Sequence, residues 1–272
     1  ISAKSAMRCI HRLVRSLFSE YSNDMKTTKY LIIGGGVAGT TAAETIRAQD
    51  KDGRLIIISD EPYIFYSRLM LSKPNFFLGK SPFDTIWLKK EQWYKDAGVE
   101  FWGGVSASAV NTKEKTVALS DGRQVQYEKM LLAIGGSPRR WDPAHVLGAD
   151  KRGIYYLRTL DDAKAIIGFI QTAKKAVCIG GGFVSFETCE LLRMKQIETT
   201  LVILEPYYWG LLWDETSGLI VEDYLRAGGV TIVKTEETAE VTGADSVSGI
   251  VTKTGKNIPC DMIVVGIGVI PP

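Results

Sequence analysis

Cysteine is scarce in this 272-residue chain and histidine scarcer, at four and two residues. Cys9, Cys178, Cys189 and Cys260 stand at neither CxxC nor CxxxxC spacing, which points away from a redox-active dithiol and toward a reducing compartment. With only His11 and His145, and no clustered Cys/His ligands, no metal centre is expected. Neither positive nor negative side chains are in marked excess. Thirty-three Lys and Arg against 31 Asp and Glu leave a net charge of +2. That balance gives no electrostatic reason to expect nucleic acid or an anionic membrane as partner. Nor does any apolar run approach the length of a membrane-spanning helix.

Glycine is what the chain does have, 27 residues of it, and two turns concentrate it. Leu31-Ile32-Ile33-Gly34-Gly35-Gly36-Val37-Ala38-Gly39 sits near the start, and Val177-Cys178-Ile179-Gly180-Gly181-Gly182-Phe183-Val184-Ser185 repeats the pattern later. Each follows a strand-like apolar run and opens a helix-like segment. In that setting the first glycine makes the tight turn and the second lets backbone approach a pyrophosphate. The third permits close helix–strand packing, while the helix N-terminus offers its unbonded N–H groups to the phosphates. Each turn is followed, at nearly the same offset, by a buried-strand run ending in an acid: Leu55 to Ser59 before Asp60, and Leu201 to Leu204 before Glu205. A carboxylate there can accept hydrogen bonds from the ribose hydroxyls of an adenosine and repels a 2′-phosphate. A helix cap or solvated turn acid is the plainer reading of either one; their matched offsets favour ribose. No Arg or Lys lies in Pro206-Tyr207-Tyr208-Trp209-Gly210, so the second site reads as built for NADH rather than NADPH.

The rest of the pattern is α/β and double. After strand–helix–strand from Tyr30 to Ser59 come a loop, a short helical stretch to Lys73 and an amphipathic helix from Lys89 to Ala97. A strand at Val99, an antiparallel meander between Val105 and Tyr127 around Asp121-Gly122, and a buried strand at Met130 to Ile134 follow. A link from Arg139 to Gly153 precedes a second copy. Thr159-Leu160-Asp161-Asp162 caps its first helix, a second meander spans Ala239 to Pro259, and the strand from Met262 closes it. The fold class is thus α/β: two Rossmann-like dinucleotide-binding domains, each with a small antiparallel β-meander. Residues 25–153 and 154–268 are the two expected domains, with 269–272 a return strand. Residues 1–24 read as a disordered leader or extension. Met7, Ile10, Val14, Leu17, Phe18 and Tyr21 at helical spacing, with Arg8, Arg12 and Arg15 between, also fit a mitochondrial transit peptide. The expected location is cytoplasmic, or mitochondrial if that segment is a targeting signal.

From about Lys29 to Pro272 the chain resembles the FAD-dependent pyridine nucleotide oxidoreductases. Within them it is most similar to the branch of ferredoxin and rubredoxin reductases, the flavin part of nitrite reductase, and apoptosis-inducing factor. Asp60-Glu61-Pro62, Tyr66-Ser67-Arg68 and Leu71-Ser72-Lys73 carry the resemblance, with Phe183-Val184-Ser185-Phe186-Glu187 and the run from Cys260 to Pro271. The resemblance implies that residues 25–153 are the first part of an FAD-binding domain and 154–268 an NAD(H)-binding domain. It implies also that Gly34, Gly36, Ala38 and Gly39 face the FAD pyrophosphate, with Asp60 at the ribose and Glu61 beside it. Arg68, Lys73, Gly135, Arg158 and Gly268 lie on the flavin side. Gly180, Gly182, Ser185 and Glu205 belong to the NADH site. Lys73 and Glu187 are the implied catalytic pair: the cation favours negative charge on the flavin, and the carboxylate offsets its burial. By residue type alone, Lys73 is a solvated helix-end lysine and Glu187 a surface helix acid.

The chain also departs from the pattern. Phe65, Leu69 and Met70 replace prolines, which predicts a differently shaped flavin-side loop; Ile134 replaces a threonine and Pro272 an asparagine. Ser185 replaces a glycine, and its side chain is expected to crowd the helix–strand packing and loosen the NADH site. The chain stops before the family's second Gly-Asp flavin segment, so residues 1–272 are expected to retain FAD poorly. The implied activity is hydride transfer from NADH to FAD, then electron delivery to a small redox protein or fused redox module, with no nucleic acid or membrane partner. The alternative is a redox-gated binding protein like apoptosis-inducing factor, with slow NADH oxidation. The absent CxxxxC points away from disulfide reductases, and the cysteine-free loop from Tyr63 to Lys73 away from cysteine-dependent NADH oxidases.

Overall fold

In a computed structural model of the chain, residues 25–271 are described. They form two compact units, one of residues 25–65 and 89–134 and one of residues 66–88 and 135–271, so the units do not follow chain order. The proposed leader lies outside the described residues.

The first unit contains β1 (Lys26–Ile33), α1 (Val37–Gln49), β2 (Leu55–Ser59), α2 (Glu91–Asp96), β3 (Val99–Gly103), β4 (Ala107–Asn111), β5 (Thr116–Leu119) and β6 (Gln124–Leu132). They build one sheet in the order β3-β2-β1-β6-β5-β4. The first four strands in that order are parallel and the β4–β5–β6 meander antiparallel. The unbroken Leu-Ile-Ile-Ile run of β2 is the signature of a strand covered on both faces. Leu55 and Ile57 pack with Ile32, Ala43, Tyr94 and Val99 on the helix side. Ile56 and Ile58 pack with Leu31, Ile33, Val117 and Val125 on the other. Burial of each such side chain stabilises by roughly 1.5–3 kcal/mol.

One strand corrects the sequence reading. The last strand of the meander and the apolar run from Met130 are one strand, β6, which pairs antiparallel with β5 over Gln124–Gln126 and parallel with β1 from Val125 to Leu132. Its end is not buried: Leu131, Leu132 and Ile134 are exposed. Neither apolar cluster of the unit extends over them.

The second unit contains β7 (Ser137–Pro138), β8 (Ile154–Tyr155), α3 (Leu160–Phe169), β9 (Lys175–Ile179), α4 (Phe183–Met194), β10 (Glu198–Val202), α5 (Glu215–Ala227) and β11 (Val230–Val233). The meander β12 (Thr238–Thr242), β13 (Gly249–Thr252) and β14 (Asn257–Pro259) follows, then β15 (Met262–Val265) and β16 (Val269–Ile270). A parallel sheet runs β11-β10-β9-β15-β8; the meander is a separate three-stranded sheet, and β16 pairs antiparallel with β7. Val177, Ile179, Val202, Ile263 and Val265 share a core with Val241, Val247 and Ile250 of the meander. Two-residue β8 has no sequence signal, because no alternation can be read over so short a run. Segment 66–88 folds into this unit through the 3-10 turn Arg68–Ser72 and the one-turn helix Pro74–Phe77. The Cys178 and Cys189 thiols are free and buried, as expected of small apolar side chains.

The two units repeat one device. In each, the chain winds outward through three parallel strands from the central one and then crosses to its other side, at β6 or at β15. The switch point therefore lies between the central strand and its crossover neighbour at their C-terminal ends, where open α/β sheets bind ligands.

Candidate functional site

At both switch points the backbone is held in the same way. Gly34 N–H donates to Ile58 O at 2.8 Å and Gly180 N–H to Val202 O at 2.9 Å; Ala133 N–H donates to Ile33 O at 2.7 Å and Gly266 N–H to Ile179 O at 2.8 Å. Gly34 (φ +118°) and Gly180 (φ +102°) occupy backbone conformations that side chains oppose. A Cβ on Gly34 would lie 2.1 Å from Ala133 O, and one on Gly180 2.5 Å from Gly266 O. These glycines are demanded by the crossover strand pressing on the turn.

The next glycines differ in kind. Around Gly36 a Cβ would meet nothing within 4 Å, and at Gly182 only Gly266 O at 3.9 Å. They face open space above the N-termini of α1 and α4. Those two helices carry no side-chain cap, whereas α3 is closed by the Thr159–Asp162 capping box and α5 by Asp214, which accepts from Ser217 N–H. An uncapped N-terminus behind an open glycine turn leaves N–H groups and the helix dipole available to an anion. Both turns thus fit a pyrophosphate.

The remaining residues of the first turn divide. Ala38 is exposed, while Gly39 is buried; its Cβ would fall 1.9 Å from Gly34 O, so it permits α1 to lie against β1. Asp60 is exposed at the end of β2, and its Oδ1 accepts from Glu61 N–H at 3.0 Å. In the second unit Glu205 is half-buried beyond β10, with Oε2 3.7 Å from where a Cβ of Gly181 would lie. A carboxylate therefore stands directly beside the second glycine turn.

Ser185 corrects an expectation. It is buried, and its hydroxyl donates to Ile179 O at 3.1 Å. No crowding results, because the residue opposite is Gly266: a Cβ there would lie 2.6 Å from Ser185 Oγ. In this chain the glycine of that helix–strand contact stands on the strand side, at Gly266. Ser185 points under the turn, away from its open face.

Of the residues expected on the flavin side, Arg68 and Arg158 meet beside Tyr66 in the second unit. The Tyr66 hydroxyl accepts from Leu160 N–H, the first residue of α3, at 3.0 Å and from Arg68 Nη1 at 3.3 Å. Arg68 Nη1 also donates to Arg158 O at 2.8 Å, while Arg158 N–H donates to Asp162 Oδ2 at 3.0 Å. A Cβ on Gly135 (φ +67°) would sit 3.3 Å from Arg158 Nη2. Gly268, also at positive φ, is exposed, and its carbonyl accepts from Arg139 N–H. Lys73, just beyond the 3-10 turn, forms an ion pair with Glu187 on the first turns of α4. The lysine is 46% exposed and the glutamate 15%, so solvent screens one end of the pair and not the other.

Sequence reasoning did not single out Tyr208 or Glu222. Tyr208 is buried, and its hydroxyl donates to Gly182 O at 2.7 Å. Burial pushes its phenol well above the usual tyrosine range, so it stays a donor. Glu222 is fully buried on α5 and accepts from Tyr208 N–H at 3.0 Å, Arg226 Nη2 at 2.6 Å and Lys234 Nζ at 3.1 Å. An aromatic residue amid Tyr-Tyr-Trp and an acid in a helix carry no local signal of such roles. Among the described residues no His/Cys/Asp/Glu group could hold a metal ion, and no helix is long and apolar enough to cross a membrane.

Two α/β units, each with an open glycine turn at its switch point and an acid beyond the next strand, define a protein of the two-dinucleotide-binding class. Residues 28–272 match the family of pyridine nucleotide-disulphide oxidoreductases, and the chain belongs to it. It is 35% identical over 257 residues to peroxisomal monodehydroascorbate reductase 4 of Arabidopsis thaliana, covering 89% of this chain and 52% of that one. Nitrite reductase [NAD(P)H] of Bacillus subtilis (strain 168) is 29% identical over 248 residues, covering 91% of this chain and 30% of that one. Among solved structures, putidaredoxin reductase in its covalent complex with putidaredoxin superposes with a TM-score of 0.84 at 27% identity, over 90% of this chain and 59% of that one. The chain spans about half the length of the reductase relative from Arabidopsis thaliana that it matches.

Proposed function

We propose that the chain is the dinucleotide-binding part of an NADH-dependent FAD oxidoreductase that passes electrons to a separate acceptor. The carrying observation is the pair of open, uncapped glycine turns, one in each unit. Bound together, the nicotinamide and flavin would supply hydride and single-electron chemistry that no side chain provides. The chain's own residues bind, orient and tune. Gly34 and Gly36 shape the FAD pyrophosphate turn, with Asp60 at the ribose and Ala38 and Glu61 flanking. Gly180 and Gly182 shape the second turn, and Glu205 takes the NADH ribose hydroxyls while repelling a 2′-phosphate. Arg68, Arg158, Gly135 and Gly268 line the flavin side. Lys73 favours negative charge on the flavin, and Glu187 holds the ammonium in place.

The acceptor is read as a small redox protein, which the likeness to a putidaredoxin reductase supports. The similarity to monodehydroascorbate reductase 4 supports a second reading, in which the acceptor is an organic radical of that kind. Anaerobic addition of NADH to the FAD-loaded protein should bleach the flavin's visible absorbance, and NADPH should do so far more slowly. Reoxidation by ferredoxin against monodehydroascorbate then separates the acceptors. A bound flavin that NADH leaves oxidised would end this reading.

A further inference from the structure

We propose that Tyr208 sets the nicotinamide-coenzyme preference, by locking the segment that carries Glu205 to the glycine turn at Gly182. This deepens the NADH reading and rests on it. The lock has three points. The Tyr208 hydroxyl donates to Gly182 O, which also receives the first helical N–H of α4 from Phe186 at 3.1 Å. The Tyr208 backbone N–H is held by the buried Glu222 carboxylate. Its carbonyl faces Gly218 one helical turn before Glu222, where a Cβ would lie 2.6 Å from the oxygen. Gly218 and Glu222 thus form one face of α5 fitted to a single peptide. Arg226 and Lys234 neutralise Glu222 from outside, which makes its burial tolerable.

Glu205 lies three residues before this anchor, and Trp209, just after it, takes a left-handed backbone (φ +57°) to turn the chain back. Glu205 O also receives Thr235 N–H at 3.4 Å, so the backbone carrying the acid is held beside β11 on one side and through Tyr208 on the other. A carboxylate on an anchored backbone loses less freedom in bonding ribose hydroxyls, and its backbone does not shift away to admit a 2′-phosphate. Discrimination against NADPH is then a property of the lock as well as of the acid.

Calorimetric titration of the chain with NADH, NADPH and FAD, alongside Tyr208→Phe, tests this. Phe keeps the ring and removes one neutral hydrogen bond, so NADH affinity should fall about fivefold, NADPH affinity less, and FAD affinity not at all. The NADH-to-NADPH preference should shrink accordingly. Gly218→Ala, whose new Cβ would lie 2.6 Å from Tyr208 O and press that peptide off α5, should narrow the preference in the same direction. Equal losses for both nicotinamide coenzymes, or none, in a Tyr208→Phe protein with unaltered melting would overturn the lock. If Tyr208→Phe fails to fold, an unaltered preference in Gly218→Ala overturns it. An unsubstituted chain that binds FAD but neither nicotinamide coenzyme would instead remove the NADH reading beneath it.

Discussion

At the scale of single residues, the structure separates side chains that hold the fold from those that face a ligand. Lys73 and Glu187 make an ion pair too solvent-exposed at the lysine to matter much for stability. Lys73→Ala should cost less than about 1 kcal/mol. It should nonetheless slow flavin reduction by NADH about tenfold, which corresponds to about 1.4 kcal/mol of lost transition-state stabilisation. Stopped-flow reduction and thermal melting together check this; a wild-type reduction rate in the variant would strip the pair of its catalytic role. Ser185 and Gly266 supply a second case. Gly266→Ala places a Cβ against the Ser185 hydroxyl and should destabilise by roughly 1–3 kcal/mol. Ser185→Ala removes one hydrogen bond, worth about 1 kcal/mol. The double variant should be more stable than the sum of the two, as the deleted Oγ vacates the space the new methyl needs. Strict additivity in urea denaturation would show that the two residues do not compete for that space. The exchange was invisible in the chain because Gly266 lies far from Ser185 in sequence, and only the β9–β15 pairing brings it opposite.

At the scale of elements, the two glycine turns were legible because their task is local: a strand, a tight turn and a helix N-terminus within ten residues. Which glycine does which job was not legible, since that depends on the crossover strand. The contrast is testable within one turn. Gly36→Ala enters open space and should leave melting unchanged while weakening FAD binding, because the new methyl stands where the pyrophosphate would approach. Gly34→Ala drives a Cβ into the Ala133 carbonyl at positive φ and should destabilise the first unit by about 3 kcal/mol or more. Melting curves and FAD titrations of both variants distinguish these outcomes. Comparable melting losses for the two would refute the division of labour. The strand readings follow the same logic. Leu55 to Ile58 announced a doubly covered strand, whereas the Met130 run looked equally buried and is exposed at its end. An apolar run reports what a strand tolerates, while burial depends on what other elements cover it.

Across the whole molecule, charge pairing leaves a pH signature in the second unit. Glu236 is buried next to the meander and accepts from Thr254 Oγ1 at 2.6 Å and Lys256 Nζ at 2.9 Å. Those bonds, Thr254 first, lower its carboxyl from 4.5 to about 2. A depressed folded-state value means that its stabilisation is complete above the unfolded value and fades as pH falls through the folded one. Stability should therefore decline between about pH 4.5 and 2, and Glu236→Gln should flatten that limb of the melting profile. An acid limb unchanged in the variant would assign the decline to other carboxylates. At this scale too the contributions of sequence and structure divide. The amino-acid sequence by itself determined two βαβ units, the positions of both glycine turns and the acids beyond them, because each is written in the spacing of neighbouring residues. Tertiary structure alone decided that segment 66–88 folds with the second unit, that Gly266 makes room for Ser185, and that Tyr208 ties Glu205's segment to Gly182. Those are contacts between residues distant in the chain, and no local pattern encodes which distant partner a side chain will meet.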